Sequence, residues 1–114
     1  MPYINVKVSS SLNEEKIEQI KTRLGKAISL FPGKSEAYLM VNIEDNCHLY
    51  FKGNNDFPTA FTEVAILGSA NKSDCERVTQ EICSIISEIA SVPPDRSYVK
   101  FEYSDKWGYN GFMF

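Results

Sequence analysis

Apolar residues fall at alternate positions at the start of the chain. Ile4, Val6 and Val8 alternate with Asn5 and Lys7, the period of a strand with one buried face. After Ser9-Ser10-Ser11 the period lengthens. Leu12, Ile17, Ile20, Leu24, Ile28 and Phe31 recur at helical spacing, with Glu14, Glu15, Lys16, Glu18, Lys21 and Arg23 between them. This predicts an amphipathic helix. A Ser11-x-x-Glu14 capping box would open it, Gly25 would weaken it a little and Pro32-Gly33 would stop it. A second strand is expected over residues 37–43, with Leu39, Val41 and Ile43 on one face and Tyr38 and Met40 on the other. Glu44-Asp45-Asn46 reads as a turn, 47–51 as a short extended piece and Gly53-Asn54-Asn55-Asp56 as a loop.

The same order then recurs. A strand over 60–67 precedes a Ser73-x-x-Glu76 capping box. Cys75, Val78, Ile82, Ile85, Ile86 and Ile89 define a second amphipathic helix, Pro93-Pro94 stops the segment after it, and a fourth strand runs over 98–103. Ser11 and Ser73 are separated by the same interval as Pro32 and Pro94. The chain therefore reads as one domain, 1–114, built from two βαβ pseudo-repeats, about 2–52 and 59–114. The fold class is α+β, a four-stranded mixed sheet. Right-handed crossovers place both helices on one face of it. The other face, with Tyr38, Met40, Phe61 and Ala65 beside Glu63, lacks a covering layer. Other subunits are expected to cover it.

Composition narrows the function without naming it. At 114 residues the chain can bury one real core. Its net charge is −3 and it has no basic block, so neither nucleic acid nor an anionic membrane is an expected partner. No apolar run approaches a membrane span, and Asn5, Lys7 and the serines interrupt any signal-like stretch. A cytoplasmic start is expected. Three cysteines, Cys47, Cys75 and Cys83, argue against a disulfide framework. Cys75 and Cys83 would lie about 12 Å apart along a helix, beyond the roughly 4.4–6.8 Å between Cα atoms that a disulfide allows. They read as buried apolar thiols. His48, the one histidine, has no ligand-spaced companions and reads as a surface or strand-end imidazole. No metal or cofactor is expected.

The candidate chemistry lies at Met1-Pro2. If Met1 is removed, Pro2 presents a secondary amine as the chain terminus. An unperturbed α-amine titrates at about 7.7–8.0. An apolar pocket or a neighbouring cation lowers that value, and a neutral amine near pH 7 is a general base. By position alone, Pro2 is only the second residue of a loose start. Lys34 after a helix end likewise suits the helix dipole, and Tyr98 on a strand suits plain sheet surface. The closing aromatics, Trp107 to Phe114, suit packing.

Taken together these pieces resemble the macrophage migration inhibitory factor group of the tautomerase superfamily. The resemblance spans essentially the whole chain. It rests on Pro2 after the initiator, Pro32-Gly33-Lys34 with Tyr38 beyond, Pro94-Asp95-Arg96-x-Tyr98, and Gly108-Tyr109-Asn110-Gly111 with a terminal phenylalanine. It implies a homotrimer with active sites between subunits and a keto–enol tautomerase acting on phenylpyruvate-type α-keto acids. Pro2 would be the general base. Lys34 would hold the substrate carboxylate and disfavour protonation of the amine. Leu67 would line the pocket, Tyr98 would reach it from a neighbouring subunit, and Tyr3, Tyr38, Tyr109 and Phe114 would supply an aromatic wall. Three departures stand out. Lys100 replaces an asparagine found in vertebrate members, adding a cation near the mouth. Tyr109 replaces a tryptophan. Thr59 and Thr62 stand where those members carry a two-cysteine motif, so a thiol oxidoreductase role is unsupported.

The resemblance also implies an alternative, a cytokine-like interaction protein exported by a non-classical route, with a protein receptor as partner and an incidental tautomerase activity. A third reading, dehalogenation or hydration of a small unsaturated acid, calls for arginines beside the proline. Only Arg23, Arg77 and Arg96 are present, and the first two fall in the predicted helices.

Overall fold

The computed structural model describes residues 1–114. Strand β1 (Pro2–Val8) pairs in parallel with β2 (Met40–Glu44) and antiparallel with β3 (Ala60–Leu67). Strand β4 (Ser97–Ser104) runs parallel to β3, giving the order β2-β1-β3-β4. Helices α1 (Glu14–Ala27) and α2 (Lys72–Ala90) make the two crossovers. The two helices with the four-stranded mixed sheet match the predicted fold class.

The alternation works as read. Pro2, Ile4, Val6 and Val8 are buried beneath the helices, with Ala60, Thr62, Val64 and Ile66 beside them on β3. Ile20, Leu24 and Ile28 from the first helical segment, and Val78, Ile82, Ile85 and Ile86 from α2, close the layer at zero exposure. Full burial of such a side chain is worth about 1.5–3 kcal/mol, more than a cap or a surface ion pair contributes. Packing on the sheet therefore decides where the helices lie. No helix is long and apolar enough to cross a membrane.

Several local expectations fail. Neither serine box caps a helix. The N-cap of α1 is Asn13, whose side chain accepts from the Lys16 amide, and that of α2 is Asn71, which accepts from the Asp74 amide. Asparagine accepts this bond as well as serine does. Asn13 and Asn71 are separated by the same interval as Pro2 and Ala60, which begin β1 and β3, and it is shorter than that from Ser11 to Ser73.

Residues 36–38 form a 3-10 turn rather than strand, so β2 starts at Met40. Ser35 drives this by accepting from the Ala37 amide. Residues 47–51 join no strand of the sheet. Gly25 does more than weaken α1: it is buried, and a Cβ there would overlap the Glu36 carboxylate. The thiols of Cys75 and Cys83 are half-buried rather than buried. Cys75 Sγ shares a 3.3 Å hydrogen bond with the Tyr103 hydroxyl, which raises the tyrosine's pKa. His48 is exposed, as expected.

The sheet face away from the helices is less apolar than the pattern implied. Met40 is exposed there, and Tyr38 lies off the sheet in the 3-10 turn, but a polar row crosses its middle. Asn42 Nδ2 donates to Asn5 Oδ1 at 2.9 Å, Asn5 Nδ2 reaches Glu63 Oε1 at 3.5 Å, and Lys100 Nζ lies 2.8 Å from Glu102 Oε1. Glu102's hydrogen bond and charge raise the Lys100 pKa.

The cap assignment is directly testable. Asn13→Ala and Asn71→Ala are each expected to lower stability by about 1 kcal/mol. Ser11→Ala and Ser73→Ala should stay within about 0.5 kcal/mol of the parent. Urea unfolding at one fixed protein concentration measures both pairs.

Candidate active site

Strand β1 begins with a residue that has no N–H to give to a ladder. Proline is tolerated at the first position of a strand for that reason. Here it sits opposite Ile66 on β3, buried, at the end of a strand with neighbours on both sides. Its nitrogen is thus placed by the sheet but not engaged by it. A pocket of about 600 Å³ opens at this end, lined by Met1, Pro2, Tyr3, Tyr38, Leu39 and Met40 with Ala37, Trp107, Gly108 and Tyr109.

Each wall has a local cause. Phe31 is buried after the turn that follows α1 and meets Phe101 edge-on at 6.1 Å. Gly33 then adopts φ +79, a conformation that favours glycine, and the Lys34 amide donates back to the Phe31 carbonyl at 3.1 Å. This tight turn delivers Lys34 to the amine end of β1. The 3-10 turn Glu36–Tyr38 swings Tyr38 over the pocket, where its ring meets Tyr109 at 5.7 Å and 84°. Tyr109 belongs to a C-terminal hairpin, β5 (Gly108–Tyr109) and β6 (Phe112–Met113). Asn110 and Gly111 turn it with φ +52 and +79, the backbone that Asn-Gly favours in a two-residue hairpin. Phe114 stacks on Tyr109 at 6.3 Å, and its amide donates to the Trp107 carbonyl.

The electrostatics at the terminus run in one direction. The Met1 amine has its pKa lowered, first by desolvation and then by the positive charge of Lys34. The Met1 carbonyl accepts from the Leu67 amide at 3.2 Å. Removal of Met1 would leave the next nitrogen, that of Pro2, at the buried end of the same pocket. It would also release the Leu67 N–H as a free donor.

The structure therefore brings Pro2, Tyr3, Tyr38 and Tyr109 to one pocket, with Lys34, Leu67 and Phe114 adjoining. It does not bring Tyr98 and Lys100 there within one chain. Tyr98 pairs with Phe61, which lies opposite Lys7 at the far end of β1, and about 17 Å of strand separates that end from Pro2. Lys100 lies mid-face, tied to Glu102. Trp107, Leu39 and Met40 also line the pocket, and the sequence reading missed them as wall. The Asn110-Gly111 pair was the available signal for the hairpin just beyond Trp107.

All three arginines are engaged elsewhere. Arg23 pairs with Glu88 and Glu81, Arg77 with Asp74, and Arg96 with Asn54 and Thr59. A second hollow, between the helices, is lined by Glu15, Glu18 and Glu88 around Arg23. Its carboxylates would repel an anionic ligand.

The profile of the macrophage migration inhibitory factor family matches residues 1–114. Among solved structures, MIF2 of Leishmania major shares 27% identity at TM-score 0.93, covering 100% of this chain and 97% of that one. A macrophage migration inhibitory factor-like protein of Entamoeba histolytica shares 22% at TM-score 0.88, covering 99% and 98%. Pt0534, captured after inactivation by 2-oxo-3-pentynoate, shares 16% at TM-score 0.84, covering 97% and 95%. No curated protein matches the chain by sequence.

The two causes acting on the amine can be separated. Lys34→Gln is expected to raise the terminal amine's pKa only part of the way to its ordinary value, because burial, the larger cause, remains. Titration of the isotope-labelled amine by NMR reads this. An unmoved pKa would show that the Lys34 charge is not felt there.

Proposed function

The chain belongs to the macrophage migration inhibitory factor family, and we propose that it is a keto–enol tautomerase acting on phenylpyruvate-type 2-oxo acids with Pro2 as its general base. The observation that carries this reading is the setting of the terminal amine. It lies in an aromatic pocket, its pKa is lowered by burial and by Lys34, and the next nitrogen belongs to a buried proline.

In the Met1-free chain the Pro2 lone pair takes a proton from the carbon beside the substrate carbonyl. The electrons of that C–H bond form the C=C bond, and negative charge moves to the carbonyl oxygen. The proton is then delivered to that oxygen, giving the enol; the reverse sequence gives the ketone. Such a step needs a base neutral near the working pH, a cation for the anionic groups and a site that sheds water. Lys34 supplies the cation. The Leu67 N–H, which donates to Met1 in the unprocessed chain, supplies a neutral donor for a carboxylate or enolate oxygen. Tyr3, Tyr38 and Tyr109 form the wall for an aryl ring, and Phe114 backs Tyr109. A 2-oxo acid inactivates Pt0534, which makes that compound class the first probe here.

Tyr98 serves an adjoining copy in this reading. It stands at the opposite end of the sheet from Pro2 and is 59% exposed, and its hydroxyl is free to bond substrate or water there. A homotrimer joined across the exposed sheet face would bring the two ends together. Lys100, on that face, would then lie between copies. The engagement of all three arginines within the chain disfavours the dehalogenase or hydratase alternative.

In the Met1-free chain, Pro2→Gly is expected to lower phenylpyruvate turnover by about 10²-fold or more, with circular dichroism unchanged. Unchanged turnover would remove Pro2 from the role of base. Retention of Met1, read by intact mass, is expected to abolish turnover, because it acylates the nitrogen. Sedimentation at micromolar concentration is expected to show a three-chain species; a sharp monomer peak would contradict the assembly.

A further inference from the structure

Exposed tyrosines on strands ordinarily sample more than one rotamer. Tyr98 is restrained from two sides. Phe61, its register partner on β3, meets the ring at 6.3 Å and 86°, and Phe51 meets it at 5.3 Å and 83°. Phe61 is held by the sheet. Phe51 lies in the segment that joins no strand of the sheet and needs another anchor.

That anchor is Arg96, two residues before Tyr98 and only 8% exposed. Phe51 and Asn54 exchange backbone hydrogen bonds of 2.9 and 3.1 Å around Lys52 and Gly53, both at positive φ. Arg96 Nη2 donates to the Asn54 carbonyl at 3.0 Å and Nη1 to its side-chain oxygen at 3.3 Å, while Nε donates to Thr59 Oγ1 at 3.0 Å. The guanidinium also lies over two rings, its carbon 5.5 Å from the Phe51 centroid and 5.9 Å from that of Phe57. Lys52 Nζ lies 5.6 Å from the Phe51 ring too, but Lys52 is exposed, and a hydrated ammonium holds a ring more weakly than a buried guanidinium. Arginine alone offers this fork of donors with a stacking face.

We propose that Arg96 is a positioning residue that, through the turn it clamps and the Phe51 ring it stacks on, fixes where the Tyr98 hydroxyl points. Its consequence for turnover rests on the reading that Tyr98 reaches an adjoining copy's pocket; its consequence for the ring does not. The further role explains why the one arginine outside the helices, in Pro94-Asp95-Arg96-x-Tyr98, is buried rather than presented to an anionic ligand.

Two variants test this in the Met1-free chain: Arg96→Lys, which keeps the charge and loses the fork, and the milder Phe51→Leu. Both are expected to shift the Tyr98 ring resonances in the tyrosine-labelled chain, Phe51→Leu through loss of the Phe51 ring current and Arg96→Lys through displacement of the Phe51 ring. Tyr98→Phe is expected to raise KM for phenylpyruvate by about 3- to 10-fold, the worth of one hydrogen bond, with kcat nearly unchanged. Phe51→Leu should reproduce that rise in the parent and add nothing when combined with Tyr98→Phe. Unmoved Tyr98 resonances in Arg96→Lys or in Phe51→Leu, or KM effects that multiply in the double variant, would overturn the proposal. If Tyr98→Phe itself leaves KM unchanged, it is the placement of Tyr98 at the pocket that fails, and the resonances still decide whether Arg96 and Phe51 hold the ring.

Discussion

Strand β1 lies between two neighbours, and the strict alternation of its side chains is the constraint on which the rest depends. Pro2, Ile4, Val6 and Val8 face the helices, and Tyr3, Asn5 and Lys7 face away. A slip of one residue would drive a tyrosine, an amide and an ammonium into the core and expose four apolar side chains. At about 1.5–3 kcal/mol for each large apolar group, that error approaches the whole stability of a small domain. The register is therefore held firmly, and with it the nitrogen of Pro2, at a strand end where the ladder asks nothing of it.

The charges around that nitrogen are set by the loops. The chain is acidic overall, yet the group nearest the terminus that acts on its titration is a cation, Lys34. A buried phenylalanine and a glycine at positive φ are what place it there. Elsewhere the arginines and Lys100 are engaged. Arginines pair with carboxylates or clamp a turn, and Lys100 leans on Glu102. The pocket end of the sheet thus offers an anion an apolar wall and, in Lys34, a positive charge without an ion-pair partner.

How much of this was legible depended on range. Period-two and helical spacing revealed the four strands of the main sheet and both helices, because burial on one sheet face imposes those periods directly. The serine boxes misled because an asparagine directly precedes each helix, while Ser11 lies before the cap of α1 and Ser73 already lies within the first turn of α2. Residues 37 and 38 read as strand because Tyr38 and Met40 continue an alternation that Ser35 interrupts only by hydrogen bonding. Pro2, Lys34 and Tyr38 could be named as site residues from their motifs. The hairpin that carries Tyr109 was written in Asn110-Gly111 and overlooked. The clamp of Arg96 on Asn54 joins residues far apart in the chain, and no local pattern announces such a contact. The resemblance put Tyr98 and Lys100 near the pocket, but their places within one chain follow only from the strand register.

The central claim is that the prolyl amine of the Met1-free chain, in the setting where burial and Lys34 lower the pKa of the Met1 amine, is the base. The pH dependence of kcat/KM for phenylpyruvate in the Met1-free chain tests it most directly. The account predicts a rate that rises with pH through one limb centred below the ordinary α-amine range of about 7.7–8.0, and levels off above it. A limb centred in the carboxylate range near 4, or one rising only toward the tyrosine range near 10, would contradict it.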